Sequence, residues 1–355
     1  MVETGAGMRY CGCRTMSEKK ERAVVVGAGG IADAWFPPLI AEKVEIAAVV
    51  DLNIETAKSR IAKYALRCEA STDLAATLGK TMPDFVVDLT VPAGHCEVTC
   101  AALRAGCHVI GEKPMASGME DARKMVRTAE ETGRLYMVSQ SRRWNAKHDR
   151  VRRAIASGTL GAITTMSCDF FIGAHFGGFR DQMPSPLILD MAIHHFDLAR
   201  SMTGLDATAV YSREFNPAGS WYRGAAAASC IFEMTAGLVF TYRGSWCAEG
   251  FPTSWNGDWR IVGEKGSLLY DHDRDPVIQV VDGREGFHRP LRDVEAPPSS
   301  LNAADMHGAL LEMLDFLRTG RQPQTECHDN IRSLGMVFAA IESAQAGARV
   351  PVRGL

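Results

Sequence analysis

The sequence predicts an α/β protein of two domains, a helix-wound parallel sheet followed by a mostly antiparallel sheet with helices of its own. Three observations predict it. The chain has 355 residues, beyond the roughly 250–300 at which one hydrophobic core stops growing. Its first part alternates short apolar runs with amphipathic stretches, the grammar of strands linked by crossover helices. After about Ser141 longer strand patterns separated by turns replace that alternation.

Element by element, residues 1–20 hold Gly, Arg, Ser, Glu and Lys without periodicity and read as a tail, with Met16 as an alternative start. The first domain is placed at 21–142. There AVVV from Ala23 leads into a helix to about Ala41, and VEIAAVV into a helix from Ile54. DFVVDLTV precedes a helix from His95, HVIGEK a helix from Gly118, and LYMVSQ closes the domain. The second domain is placed at 143–355, with strands AITTMSCDFFIG, ATAVYSREF, AAAASCIFEM, GLVFTYRGSW and WRIVGEKGSLLY. Thr235-Ala236-Gly237 and Glu264-Lys265-Gly266 read as hairpin loops between neighbouring strands. Helices are expected at about 186–203, 303–318 and 329–346.

Composition narrows the function. With 46% hydrophobic, 23% charged and 8% aromatic residues, the chain is close to the globular average, which argues against disorder, collagen and coiled coil. A formal charge of -3, from 39 basic and 42 acidic residues, provides no basic stripe for nucleic acid. No apolar run approaches the roughly 18 residues that span a bilayer, and MVETGAGMRY lacks the layout of a secretory signal, so a cytoplasmic protein is expected. The ten cysteines include no paired C-x-x-C knuckle and are expected as buried thiols. Cys96, Cys100 and His95 lack the second half of a zinc site, so no metal is expected.

Three motifs carry chemistry. Gly27-Ala28-Gly29-Gly30-Ile31-Ala32 directly follows the first strand. Gly27 permits a tight turn, Gly29 lets the backbone approach a pyrophosphate, and Ala32 allows close helix packing; the helix N-terminus then offers its free amides to the phosphates. Asp51 ends the second strand 19 residues after Ala32, where a carboxylate accepts hydrogen bonds from ribose hydroxyls and repels a 2'-phosphate, favouring NAD over NADP. The alternative is an aspartate that merely caps the next helix. Next, Glu112-Lys113-Pro114 leaves the strand HVIGEK; proline keeps Lys113 extended at the carboxyl edge of the sheet, facing the ligand crevice.

The third motif is the helix around Leu189 to Asp197. At 3.6 residues per turn Asp190, His194 and Asp197 share a face beside an apolar stripe of Leu189, Ala192, Ile193, Phe196 and Ala199. An aspartate four residues before a histidine can orient the imidazole as a proton acceptor. A pair that only seats the helix is the alternative.

Together these motifs resemble the Gfo/Idh/MocA oxidoreductase family, which includes glucose-fructose oxidoreductase and inositol 2-dehydrogenase. The likeness runs over nearly the whole chain from Glu21 and also takes in Thr90-Val91-Pro92 with His95, Arg142-Arg143-Trp144-Asn145 and Trp259-Arg260-Ile261-Val262-Gly263. It implies an N-terminal Rossmann domain, a C-terminal α/β domain with an open, mostly antiparallel sheet, and a nicotinamide cofactor held between them. It further implies pairing of sheets into homodimers or homotetramers. By position the family's catalytic lysine, aspartate and histidine fall on Lys113, Asp190 and His194. The implied cofactor contacts are Gly27, Ala28, Gly29, Gly30, Ile31, Asp51, Thr90, Pro92, His95, Glu112 and Lys113. Candidate substrate-binding residues are Arg143, Trp144, Arg180 and His195, with His148 and Phe176 beside them, since flat apolar faces mixed with donors suit a sugar ring and an anionic substituent. Two departures stand out: Ala192 replaces a glycine common between the aspartate and histidine, and Met183-Pro184-Ser185-Pro186 replaces a glycine-rich run.

The expected function is therefore NAD-dependent oxidation of a hydroxyl of a sugar, cyclitol or related polyol. A second reading is a glycoside hydrolase of the same fold that uses tightly bound NAD in a cycle of oxidation, elimination, hydration and reduction. A third, a non-catalytic NAD sensor, would ordinarily have lost Lys113 or His194, and both are present.

Overall fold

The computed structural model describes residues 20–354; of the tail expected at 1–20 only Lys20 falls within it, and Cys11, Cys13 and Met16 lie outside the described residues. The first sheet is built mostly from apolar strands buried on both faces, with the short polar strand Glu69–Ser71 at one edge. They are β1 (Arg22–Val26), β2 (Glu45–Val50), β3 (Glu69–Ser71), β4 (Phe85–Asp88), β5 (His108–Glu112) and β6 (Tyr136–Ser139). Between them run α1 (Ala32–Ala41), α2 (Ile54–Lys63), α3 (Leu74–Thr81), α4 (Pro92–Arg104) and α5 (Met119–Thr132). Local chemistry sets their ends. The Asn53 and Asp73 side chains accept amide hydrogen bonds at the starts of α2 and α3, and Gly133 takes the left-handed conformation that ends α5. All strands are parallel in the order β3-β2-β1-β4-β5-β6. Strand order therefore reverses at β1, and the carboxyl ends of β1 and β4 open the crevice where such sheets bind ligands.

The second sheet has nine strands, in the order β14-β13-β12-β11-β7-β10-β9-β8-β15. After α6 (Ala146–Ala156) come β7 (Ile163–Phe171), α7 (Ile193–Thr203), β8 (Ala207–Phe215), β9 (Ala227–Met234), β10 (Val239–Ser245) and β11 (Asp258–Gly263). Then follow β12 (Gly266–Tyr270), β13 (Val277–Val281), β14 (Leu291–Glu295), α8 (Asp305–Thr319), α9 (Cys327–Ala346) and β15 (Val350–Pro351). Only β7 and β10 pair in parallel; the other neighbours are antiparallel. One face packs on α7 and α9, whose Phe196, Leu334 and Val337 share a core with Phe232 and Phe240 of the sheet. The other face is open and carries half-exposed Tyr211, Phe215, Ile231 and Val239.

The two sheets are tied together by returning helices. Leu310, Met313 and Leu314 of α8 share a core with Trp35 and Phe36 of α1, and His307 meets Glu42 at 2.7 Å. On the other flank, Val138 of the edge strand β6 donates to the Thr325 carbonyl at 3.1 Å, so the chain before α9 covers an otherwise open edge. His328 reaches Glu130 of α5 at 2.8 Å.

Several elements differ from the expectation. The short β3, helices α3 and α6, and the strands β13, β14 and β15 have no counterpart among the expected elements. Helix α4 starts at Pro92, three residues before His95, because proline at the first helical position has no amide to leave unpaired. Leu187–Ala192 forms a π-helical turn, not the first turn of an α-helix.

Candidate active site

The glycine loop turns where its sequence requires. Gly27 has φ +92°, and a Cβ there would lie 2.7 Å from the Leu89 carbonyl carbon. Gly29 and Gly30 are exposed, and a Cβ on either would meet nothing within 4 Å. The amides of Gly29, Gly30 and Ile31 donate no hydrogen bond among the described residues. Free amides facing open space at the start of α1 fit a dinucleotide pyrophosphate. Asp51 closes the end of β2: Oδ2 accepts from the Ala28 amide at 2.7 Å and Oδ1 from the Asn53 amide at 2.9 Å. Arg60, which the sequence did not single out, grips the loop by donating to the Ala28 carbonyl at 2.8 Å and the Gly29 carbonyl at 3.0 Å.

At the end of β4, buried Asp88 gathers the next turn. It accepts from the Thr90 hydroxyl at 2.6 Å and the Thr99 hydroxyl at 3.0 Å, and lies 3.1 Å from His95 Nδ1. His95 is 1% exposed. This corrects the expectation that its side chain touches the cofactor: the ring is walled in and braces the loop bearing half-buried Thr90 and Pro92. Glu112 is corrected in the same way. Its Oε1 accepts from Trp35 Nε1 at 2.8 Å and its Oε2 from the Lys113 amide at 3.2 Å, and burial pushes its carboxyl up.

Lys113 follows at the carboxyl end of β5, with a cis bond to Pro114. Its Nζ donates to both the Asp190 carboxylate and the Asp190 carbonyl at 2.9 Å, joining the first sheet to the second half of the chain. Arg180 Nε takes the other carboxylate oxygen at 2.6 Å. Burial favours the neutral acid, but the two cations outweigh it and hold the Asp190 carboxyl below its usual range.

His194 stands on the first turn of α7. Burial, then the charges of Arg142 and Lys113, depress its pKa well below the ordinary value, so the ring is neutral at neutral pH. Neither ring nitrogen has a hydrogen-bond partner among the described residues. The expected orientation of His194 by Asp190 is corrected: both Asp190 oxygens are engaged by Lys113 and Arg180, and no hydrogen bond joins Asp190 to His194 among the described residues.

Other candidates lie elsewhere. Arg143 points into the protein, donating to both Asp197 oxygens at 2.7 and 2.6 Å, to Asp329 at 2.6 Å and to the Gln324 carbonyl at 2.7 Å. Trp144 is buried against α8 and donates to Glu312 at 3.0 Å. His195 is wholly buried, its ring 5.0 Å from Phe170 and 5.5 Å from Tyr242. His148 is buried beneath the Arg142 carbonyl. These four are corrected from substrate contacts to scaffold, while Arg180 and half-exposed Phe176 stay at the cleft.

The residue the sequence missed is Arg142, which meets the Trp255 carbonyl, His195 Nε2 at 3.3 Å and Met191 Sδ at 3.8 Å. Exposed Trp255 and Phe176 face each other with ring centroids 6.0 Å apart, and the Arg180 guanidinium lies 5.1 Å from the Phe176 ring. The paired arginines 142 and 143 were the available signal. A 3-10 turn over Ser141–Trp144 sends successive side chains about 120° apart, so only one can face the cleft.

Comparison with known proteins places this geometry. Residues 21–140 match the family model described as an oxidoreductase family with an NAD-binding Rossmann fold, and residues 148–269 match the GFO/IDH/MocA C-terminal domain. The chain is 33% identical to 1,5-anhydro-D-fructose reductase of Ensifer adhaerens, over 91% of this chain and 96% of that protein. It is 26% identical to D-apiose dehydrogenase of Paraburkholderia graminis, over 96% and 92% respectively. In fold it is similar to an oxidoreductase from Agrobacterium radiobacter crystallised with NAD+, L-tartaric acid and magnesium, with a TM-score of 0.82, 22% identity, and coverage of 94% and 98%. Its glycine cradle, its lysine bridge to the second sheet and these matches have one common reading: the chain belongs to the GFO/IDH/MocA family of NAD-binding oxidoreductases.

Proposed function

We propose that the protein oxidises a hydroxyl of a sugar, cyclitol or related polyol, in the cytoplasm, with NAD. The observation that carries the reading is the reach of Lys113 from the end of β5 to Asp190, beside the unpartnered imidazole of His194. Gly27, Ala28, Gly29, Gly30 and Ile31 would hold the cofactor phosphates and Asp51 the ribose. When bound, NAD supplies the hydride acceptor. His194, held neutral, takes the hydroxyl proton. Lys113 hydrogen-bonds the same oxygen and stabilises the negative charge that develops there, while Asp190 and Arg180 fix the position of the ammonium group. The names of the dehydrogenase and reductase relatives support a carbohydrate substrate. The eight described cysteines are free thiols, in keeping with a reducing compartment. No described helix is long and apolar enough to cross a membrane. The open sheet face with Tyr211, Phe215, Ile231 and Val239 is the surface on which a homodimer or homotetramer would pair.

The test is to incubate the protein with NAD and a panel of sugars, cyclitols and polyols. Net NADH is the expected product, and Lys113→Ala and His194→Ala should each lower kcat about 10²–10⁴-fold. Wild-type turnover in variants that fold and bind NADH would overturn the roles of both residues. Aglycone release from glycosides without net NADH would establish the hydrolytic cycle instead.

A further inference from the structure

Arg142 is a cation in the cleft without an ion-pair partner. It is only partly accessible, and it belongs to no ion pair among the described residues. Its acceptors are a carbonyl oxygen, a histidine nitrogen and a thioether sulfur, all uncharged. The other arginines of this region differ. Arg143 is saturated by Asp197 and Asp329, and Arg180 is paired with Asp190. Two carboxylates feel its charge without forming an ion pair with it: Asp273, engaged by Asn256 at 2.7 Å and Tyr270 at 2.8 Å, and Asp305, whose carboxyl burial pushes up against the pull of Arg142.

An enclosed guanidinium without a paired anion is costly, because burial removes its hydration and neutral acceptors replace it only in part. Burial accordingly pulls the Arg142 pKa down to about 10. Chains retain such a group where a ligand completes it. The location favours that explanation: Arg142 touches Met191, the neighbour of Asp190, and after burial its charge is the strongest influence on His194. On its other side it holds the carbonyl of Trp255, whose exposed ring faces Phe176.

We propose that the substrate brings the missing charge: Arg142 anchors a carboxylate carried by the sugar or polyol, so that the enzyme acts on a polyhydroxy acid. The inference rests on the reading of the cleft as a polyol-oxidising site and narrows its substrate class. A carboxylate fits Arg142 by shape: Lys113 and Arg180 share the Asp190 carboxylate, Arg142 has no ion-pair partner among the described residues, and its planar guanidinium matches a planar carboxylate.

The experiment pairs hexuronates and aldonates with their neutral hexoses and alditols, and adds hexose phosphates as a third arm. Turnover is measured with NAD, and binding to the NADH-loaded protein by calorimetry. Wild type should favour the carboxylates over their neutral partners by at least about tenfold in kcat/KM and in affinity. Arg142→Gln should collapse that ratio, and Arg142→Lys, which keeps the charge but loses the fork, should restore part of it. Wild type that prefers neutral members or phosphates overturns the inference whether or not the variants fold, and so does a carboxylate preference that survives in Arg142→Gln. Arg142-dependent carboxylate binding without oxidation of any panel member would uphold the anion subsite and remove the proposed reaction. Oxidation of neutral sugars with no acid preference would do the reverse.

Discussion

His194 illustrates how single residues are tuned by what surrounds them. Burial and the neighbouring cations keep the imidazole neutral far into the acid range, so the acid limb of kcat/KM for oxidation should fall below the pH of about 6.5 at which a free histidine titrates. Removing the charge of Arg142 takes away one depressing influence, so in Arg142→Gln the limb should move to higher pH; a pH–rate profile on a neutral substrate checks both signs. Gly27 is tuned sterically. Alanine there would be strained by φ +92° and would press its Cβ onto the Leu89 carbonyl. Gly27→Ala is expected to lose about 1–3 kcal/mol of stability and to weaken NADH binding, as read by urea denaturation and fluorescence titration. The places of Gly27, Asp51 and Lys113 just past the ends of β1, β2 and β5 were legible in the sequence because apolar runs mark where strands stop. Arg142 was not, since adjacent arginines on a tight turn look equivalent until the turn is seen. Arg143 is the one the sequence favours, yet it is drawn inward by Asp197 and Asp329.

Among elements, the π turn at Leu187–Ala192 decides the site. Periodicity of 3.6 placed Asp190 and His194 on one face, and a turn with wider hydrogen bonding holds an extra residue there and shifts the register of Asp190 relative to α7. The displaced carboxylate becomes the partner of Lys113 and Arg180 and leaves His194 unpartnered. Deleting Ala192, a small buried residue, should return the segment to α-helical register and rotate Asp190 by about 100° relative to α7. The expected result is a fall in kcat of about 10²-fold or more with NADH affinity kept; unchanged kcat in the folded deletion variant would show that the displaced register is irrelevant. The parallel strands were legible from their near-continuous valine and isoleucine runs. The missed β3 has three residues, and β14 is mostly exposed, so neither carries a hydrophobic signature. Helix α6 was missed because its arginine-rich text has few apolar positions, although Asn145 caps it as a helix start should be capped.

For the whole molecule, two sheets are clamped by α8 and α9, and the clamp and the core contain histidines of opposite sign. His148, His194 and His195 are buried with their pKa values depressed, His148 to about 4, in each case chiefly by burial. Below the unfolded value of about 6.5 the unfolded chain takes up protons that the native state refuses. The stability they confer is thus complete above pH 6.5 and is lost as pH falls toward their folded values. For His148 alone, a shift of this size is worth about 3 kcal/mol. His328 has the opposite sign. Its hydrogen bonds to Glu130 and then Glu326 raise its pKa, so its contribution is present below pH 6.5 and is lost as pH rises through the raised value. Its side chain is 40% exposed, however, and solvent and salt screen such a pair to well under 1 kcal/mol. The buried set should win. Carboxylates held below their usual range, such as Asp190 and Asp329, lose their contribution only below about pH 4, while Glu112, Glu214 and Asp305, whose carboxyls burial pushes up, offset part of the histidine effect above it. Urea midpoints followed from pH 7.5 to pH 5 should therefore fall steadily on acidification, and 0.5 M salt should leave that slope nearly intact. His148→Asn keeps a donor for the Arg142 carbonyl but cannot titrate, so it should flatten the slope while lowering the plateau. A slope that is erased by salt and indifferent to this substitution would place the acid sensitivity in the surface clamp of His328 and not in the core.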